Sequence, residues 1–107
     1  MTWPEKVAGR SQVDITPSSP AAAAWGDPAI IARCGFAALS PTTLDCIQVD
    51  GIDWVVEPLD DGVAFTTYGR DPALEVLVPK AYTPEPMVLP DFDQVAGALP
   101  RTGHACT

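Results

Sequence analysis

Residues 44–57 read Leu-Asp-Cys-Ile-Gln-Val-Asp-Gly-Ile-Asp-Trp-Val-Val-Glu, and this stretch decides the fold. Two runs rich in β-branched and aromatic side chains flank Asp50-Gly51 at a two-residue spacing. A two-residue hairpin loop needs positive φ at both central positions, and Asp-Gly meets that need at little steric cost. The spacing therefore predicts a type I′ hairpin between strands at about residues 44–49 and 52–57.

Working outward, the same kind of run recurs between turn residues. Residues 63–68 alternate Val63, Phe65 and Thr67 against Ala64, Thr66 and Tyr68, which predicts a strand with one buried face. Residues 73–78 place Leu74, Val76 and Val78 on one side and Glu75 on the other. Residues 29–34 form a further strand, closed by Gly35. Pro84 and Pro86 oppose regular pairing after residue 79. Phe92, Val95 and Leu99 then recur at the spacing of one short amphipathic helix between Pro90 and Pro100, with Asp91 as its cap. Residues 1–28 contain four prolines, a Ser/Pro stretch and an alanine run, and read as an extended N-terminal arm, with one helical turn after Pro4. The expected fold class is α+β: an antiparallel meander of four or five strands with one short C-terminal helix, in a single domain over residues 29–107.

Composition narrows the function. With 107 residues there is room for one core. The 14 acidic against 6 basic side chains give a net charge of −8, which argues against a phosphate backbone as partner and leaves nucleic acid out. No apolar run approaches the length of a membrane helix.

Three cysteines in a small, proline-rich chain suggest an exported protein with a disulfide. Cys34 and Cys46, on strands expected to be neighbours, are the first candidates for the bond, leaving Cys106 unpaired in the tail. The rival arrangement joins Cys106 to Cys34 or Cys46 and pins the tail. No CxxC pair accompanies His104 and Cys106, so no zinc site is expected. An exported protein carries a signal peptide or anchor, and none is legible here, so a longer precursor is expected.

Six further residues invite a functional reading. Arg33 interrupts an apolar strand; its guanidinium either anchors an anionic group or, the preferred reading, pairs with a nearby acid such as Asp27 or Asp53. Three tryptophans could form a stacking platform for a sugar or peptide. Alternation favours a core position for Trp54, whereas Trp25 suits either role. Arg70 lies in the turn after residues 63–68. Asp50, Asp53, Asp60 and Asp61 lie near hairpin ends, but the spacing of a calcium loop is absent and Asp50 and Asp61 each precede glycine as turn residues. No metal or cofactor is expected. His104 is the only histidine, and neither GxSxG nor HExxH nor a phosphate loop occurs.

Trp25-Gly26-Asp27-Pro28, Arg33-Cys34-Gly35, Val49-Asp50-Gly51-Ile52-Asp53-Trp54 and Phe65-Thr66-Thr67-Tyr68-Gly69-Arg70 follow one another in an order that resembles the actinobacterial family known as domain of unknown function 3515. The resemblance covers roughly residues 3–106. It implies a small secreted or lipoprotein-like, membrane-anchored protein of the cell envelope. It also implies an N-terminal cysteine near residues 3–9, whereas no cysteine precedes Cys34 here; a lost cysteine would account for an unpaired Cys106. The family carries no activity to transfer. The expected function is a non-catalytic exported envelope module that binds a partner protein or wall component. The alternatives are an accessory subunit of a membrane complex and a small carboxylate-dependent hydrolase.

Overall fold

The computed structural model describes residues 2–16 and 18–106. Among these, eight strands form one antiparallel sheet: β1 (Lys6–Val7), β2 (Arg10–Val13), β3 (Ala22–Trp25), β4 (Ile30–Phe36), β5 (Asp45–Val49), β6 (Ile52–Leu59), β7 (Gly62–Thr67) and β8 (Ala73–Pro79). A 3₁₀ turn at Lys80–Tyr82, a longer 3₁₀ segment at Glu85–Phe92 and a short helix α1 (Asp93–Gly97) follow. The strand order is β1-β2-β3-β4-β8-β7-β6-β5.

The hairpin stands as its sequence dictates. Val49 faces Ile52, and Asp50 and Gly51 both take positive φ, at 51° and 81°. The strand expected to end at Cys34 runs on through Gly35, whose φ of 106° absorbs an irregularity in register, so that Phe36 still pairs with Ala73 on β8.

The expected count of four or five strands is corrected to eight. The three additional strands are short and come from residues 6–25, where the sequence has no β-branched run; they form because β3 pairs with β4 and draws β2 and β1 onto the sheet in turn. The residues after Pro4 likewise make no helical turn. Ala8 and Gly9 take positive φ of 52° and 74° and close the β1–β2 hairpin.

Chain order and spatial order differ at β4. Its neighbours are β3 and β8, and three strands separate it from β5. Four strand spacings of about 4.8 Å put β5 about 19 Å away. The nine Cα steps from Phe36 to Asp45 reach about 30 Å when extended, so a single crossing of the sheet's end suffices.

Residues alternate across the sheet. The inner face carries Ala23 and Trp25 from β3, Ile30 and Ala32 from β4, Leu74, Val76 and Val78 from β8, Phe65 from β7, and Ile52 and Trp54 from β6, all buried. Over it lie Val88, Leu89, Phe92, Val95, Ala96 and Leu99, so the apolar spacing in the C-terminal segment is fulfilled, with a 3₁₀ segment supplying half of the cover. Asp91 does not cap α1, whose N-cap is Phe92 without a side-chain bond. The Asp91 carboxylate instead accepts the Ala8 N–H at 2.8 Å, tying the β1–β2 turn to the cover. No helix among the described residues is long and apolar enough to cross a membrane.

Gly9 and Gly51 test the two hairpins without steric complication, because an added Cβ would meet nothing within 4 Å at either site. We expect Gly9→Ala and Gly51→Ala each to lower the unfolding free energy by about 1–2 kcal/mol through the cost of positive φ alone. Urea titration with an unchanged slope would show this, and a neutral result would contradict the turn assignments.

Candidate functional site

The disulfide joins Cys46 to Cys106, 60 residues apart, with Cα atoms 5.6 Å from each other. This corrects the first-choice pairing of Cys34 with Cys46 and selects one of the two rival arrangements. The physical reason is the strand order: β4 and β5 are not neighbours, so Cys34 cannot reach Cys46. Cys34 is a free, half-buried thiol packed against the core. Cys106 has its partner within the chain.

The tail that carries Cys106 is built into the sheet by a series of bonds. Asp71 N–H donates to the Pro100 carbonyl at 3.0 Å, Thr102 N–H donates to the Gly69 carbonyl at 2.9 Å, and Arg70 and Arg101 form an antiparallel bridge. Asp53 completes the anchorage. One carboxylate oxygen accepts Gln48 Nε2 at 3.1 Å and the other accepts the Cys106 N–H at 3.0 Å. The Asp53 carbonyl also accepts the Tyr68 N–H at 2.8 Å.

These contacts frame a groove of about 460 Å³ on the outer face of the sheet, away from the helical cover. Thr42 and Leu44 from the β4–β5 crossing, Asp45 and Val55 from the strands, Tyr68 and the disulfide line it. Tyr68 meets His104 edge to face, with ring centroids 5.7 Å apart and the phenol oxygen 3.4 Å from Nδ1. The groove thus offers the Tyr68 phenol, the Asp45 carboxylate and the exposed Leu44 in a lining that is more polar than apolar, which suits binding through mixed polar and apolar contact.

The residues singled out in the sequence do not converge on one site. Trp54 is buried between β5 and β7, as alternation predicted, and its indole N–H has no partner among the described residues. Trp25 is equally buried and donates Nε1–H to the Pro4 carbonyl at 2.9 Å. Arg33 forms an ion pair with Glu75 opposite it on β8, and its guanidinium lies 5.4 Å from the Phe36 ring centroid. The expected partners Asp27 and Asp53 are thereby corrected: Asp27 is exposed in the β3–β4 turn, and Asp53 serves the tail. Arg70 donates Nη1–H to the Leu99 carbonyl at 2.8 Å and the Gly97 carbonyl at 3.3 Å, closing the C-terminal end of α1 where carbonyls lack helical partners. Asp50 and Asp61 lie at opposite ends of β6, and no group of three His, Cys, Asp or Glu side chains placed to hold a metal occurs among the described residues.

Tyr68, Thr42 and Asp45 gained no functional reading from sequence. The alternation in residues 63–68 did place Tyr68 opposite Phe65, and only the disulfide pairing shows that His104 meets it.

With a 60-residue separation, loop-closure entropy makes the disulfide worth about 4 kcal/mol in the chain-entropy model. Cys106→Ala should lower stability by about that amount, and Cys34→Ala by less than half of it. Alkylation of the native protein should add one group before reduction and three after; a native protein with Cys34 blocked would contradict the pairing.

Among the family models, one described as Protein of unknown function (DUF3515) matches residues 1–102. No curated protein and no solved structure matches the chain. A match over nearly the whole length, together with the ordered Trp25-to-Arg70 motifs that shape the sheet and its turns, shows that the chain belongs to the DUF3515 family.

Proposed function

We propose that this chain is a non-catalytic module of the cell envelope, placed outside the cytoplasm, that docks on a partner protein through the disulfide-braced groove on the outer face of its sheet. The observation that carries the reading is the convergence of the Cys46–Cys106 disulfide, Asp45 and Tyr68 on one groove of about 460 Å³, behind which Asp53 holds the tail. A structural disulfide in a chain of this size belongs to an oxidising compartment. The groove lies where no helix covers the sheet, and Leu44 at its rim keeps 44% of its surface exposed.

Two titratable side chains beside the groove serve to hold it together. Both Asp53 oxygens accept hydrogen bonds from the structure itself, and the imidazole of His104 packs on Tyr68. Among the described residues, Asp45 is then the one carboxylate in the lining, with no imidazole or second carboxylate lining the groove beside it, and a braced wall of mixed polar and apolar side chains supports recognition better than acid–base chemistry.

Photo-crosslinking in the source cell tests the reading. A benzophenone amino acid at Leu44 should give a discrete adduct, whereas the same group at Met87, which is 71% exposed on the opposite side of the sheet, should not. Equal adducts from both positions, or none from Leu44, would overturn the docking assignment. In cells quenched with acid and alkylated without reduction, Cys46 and Cys106 should remain unmodified; their modification would overturn the extracytoplasmic one.

A further inference from the structure

We propose that the groove between Trp3 and α1 is a second binding site, on the helical side of the sheet, and that it takes a pyranose unit of a saccharide. It is independent of the protein-docking reading. The groove has a volume of about 340 Å³, and its lining includes Trp3, Pro4, Asp91, Gln94, Val95 and Leu99. That is within the size range of small-molecule sites, which pair an apolar lining with a few placed polar groups.

The chemistry of the lining selects the ligand. Trp3 is the one tryptophan of the three that is not fully buried. It is held rigidly: its Nε1–H donates to the Pro20 carbonyl at 3.1 Å, and its ring meets Trp25 at 68° with centroids 6.1 Å apart. With the N–H engaged, the ring offers only its apolar surface, which matches the C–H face of a sugar ring.

At Pro4, in the middle of the Trp3 side of the groove, the backbone has little to offer an extended peptide. Proline has no N–H, and the Pro4 carbonyl already accepts both Trp25 Nε1–H at 2.9 Å and Gln12 Nε2–H at 3.1 Å. Recognition falls to side chains. Asp91 uses one oxygen on the Ala8 N–H and keeps the other, and the exposed Gln94 brings a carboxamide with both donors and acceptors. Vicinal hydroxyls can satisfy such a carboxylate–carboxamide pair. An acyl chain would cover these groups without a partner, at the cost of their desolvation.

The test uses the full chain, ¹⁵N-labelled, titrated with triacetylchitotriose and with cellotriose. We expect saturable shifts of the Trp3 indole N–H and the Gln94 side-chain amide, with the buried Trp54 indole signal unmoved. Gln94→Ala, an exposed change, should weaken binding at least fivefold, and Trp3→Leu should abolish it. Should Trp3→Leu fail to fold, Gln94→Ala decides alone, its unchanged Trp54 signal reporting an intact core. No saturable shift with either saccharide, an unaltered affinity in Gln94→Ala, or shifts at Trp3 with a lysine-rich hexapeptide in place of the saccharides would each overturn the proposal. None of these outcomes bears on crosslinking at Leu44, so the two readings fail separately.

Discussion

The packing of Phe92 against Trp25 is the contact on which the rest of the structure depends. The rings meet edge to face, with centroids 5.4 Å apart at 79°, and both are fully buried. Trp25 comes from β3 near the start of the chain and Phe92 from the segment that covers the sheet near its end. Large aromatic side chains bury more apolar area than any others, and removal of one from a core costs about 3–5 kcal/mol. Burial of Trp25 also imposes a polar demand, since its indole N–H must find an acceptor. The Pro4 carbonyl supplies it, which fixes the N-terminal segment across the edge of the core. Asp91, one residue before Phe92, adds the second tie through Ala8. Thus a pair of aromatic rings ties the N-terminal strands to the C-terminal cover of the sheet.

This explains what was legible in the sequence and what was not. Strands β4 to β8 announce themselves because each carries its own β-branched run, and Asp50-Gly51 states the geometry of its turn locally. Strands β1 to β3 carry Lys-Val, Arg-Ser-Gln-Val and Ala-Ala-Ala-Trp, none of which specifies a strand alone. Their conformation follows from pairing with β4 and from the demands of Trp25, both set by residues far away in the chain. Local propensity is weak for short segments, and tertiary context overrides it. The two roles open to Trp25 were resolved in the same way, by the position of Phe92.

The disulfide was illegible for a related reason. Successive strands usually lie side by side, and that expectation made Cys34 and Cys46 neighbours. The chain instead departs from β4 to the far edge and returns through three hairpins, so that β4 closes on β8. Cross-strand chemistry favours this closure: Ala32 faces Val76 within the core, and Arg33 faces Glu75 on the outer side. Each is a pairing of side chains that a single sequence displays but cannot connect. Once β4 and β5 are apart, only Cys106 can reach Cys46, and the groove beside Tyr68 follows from where that bond holds the tail.

The same arrangement protects the edges of the sheet. An open sheet exposes unpaired N–H and carbonyl groups on its two outermost strands, which invite pairing with other chains. Here those strands are β1 and β5. β1 has two residues, one of them Lys6, and its turn is tied down by Asp91. β5 has five residues, with exposed Asp45 and Gln48 and the Cys46 bond to the tail. Short length, charge and a covalent tether each make edge pairing costly. They leave the outer face, rather than the edge, as the open surface of the sheet, and they do so with the contacts that build the groove.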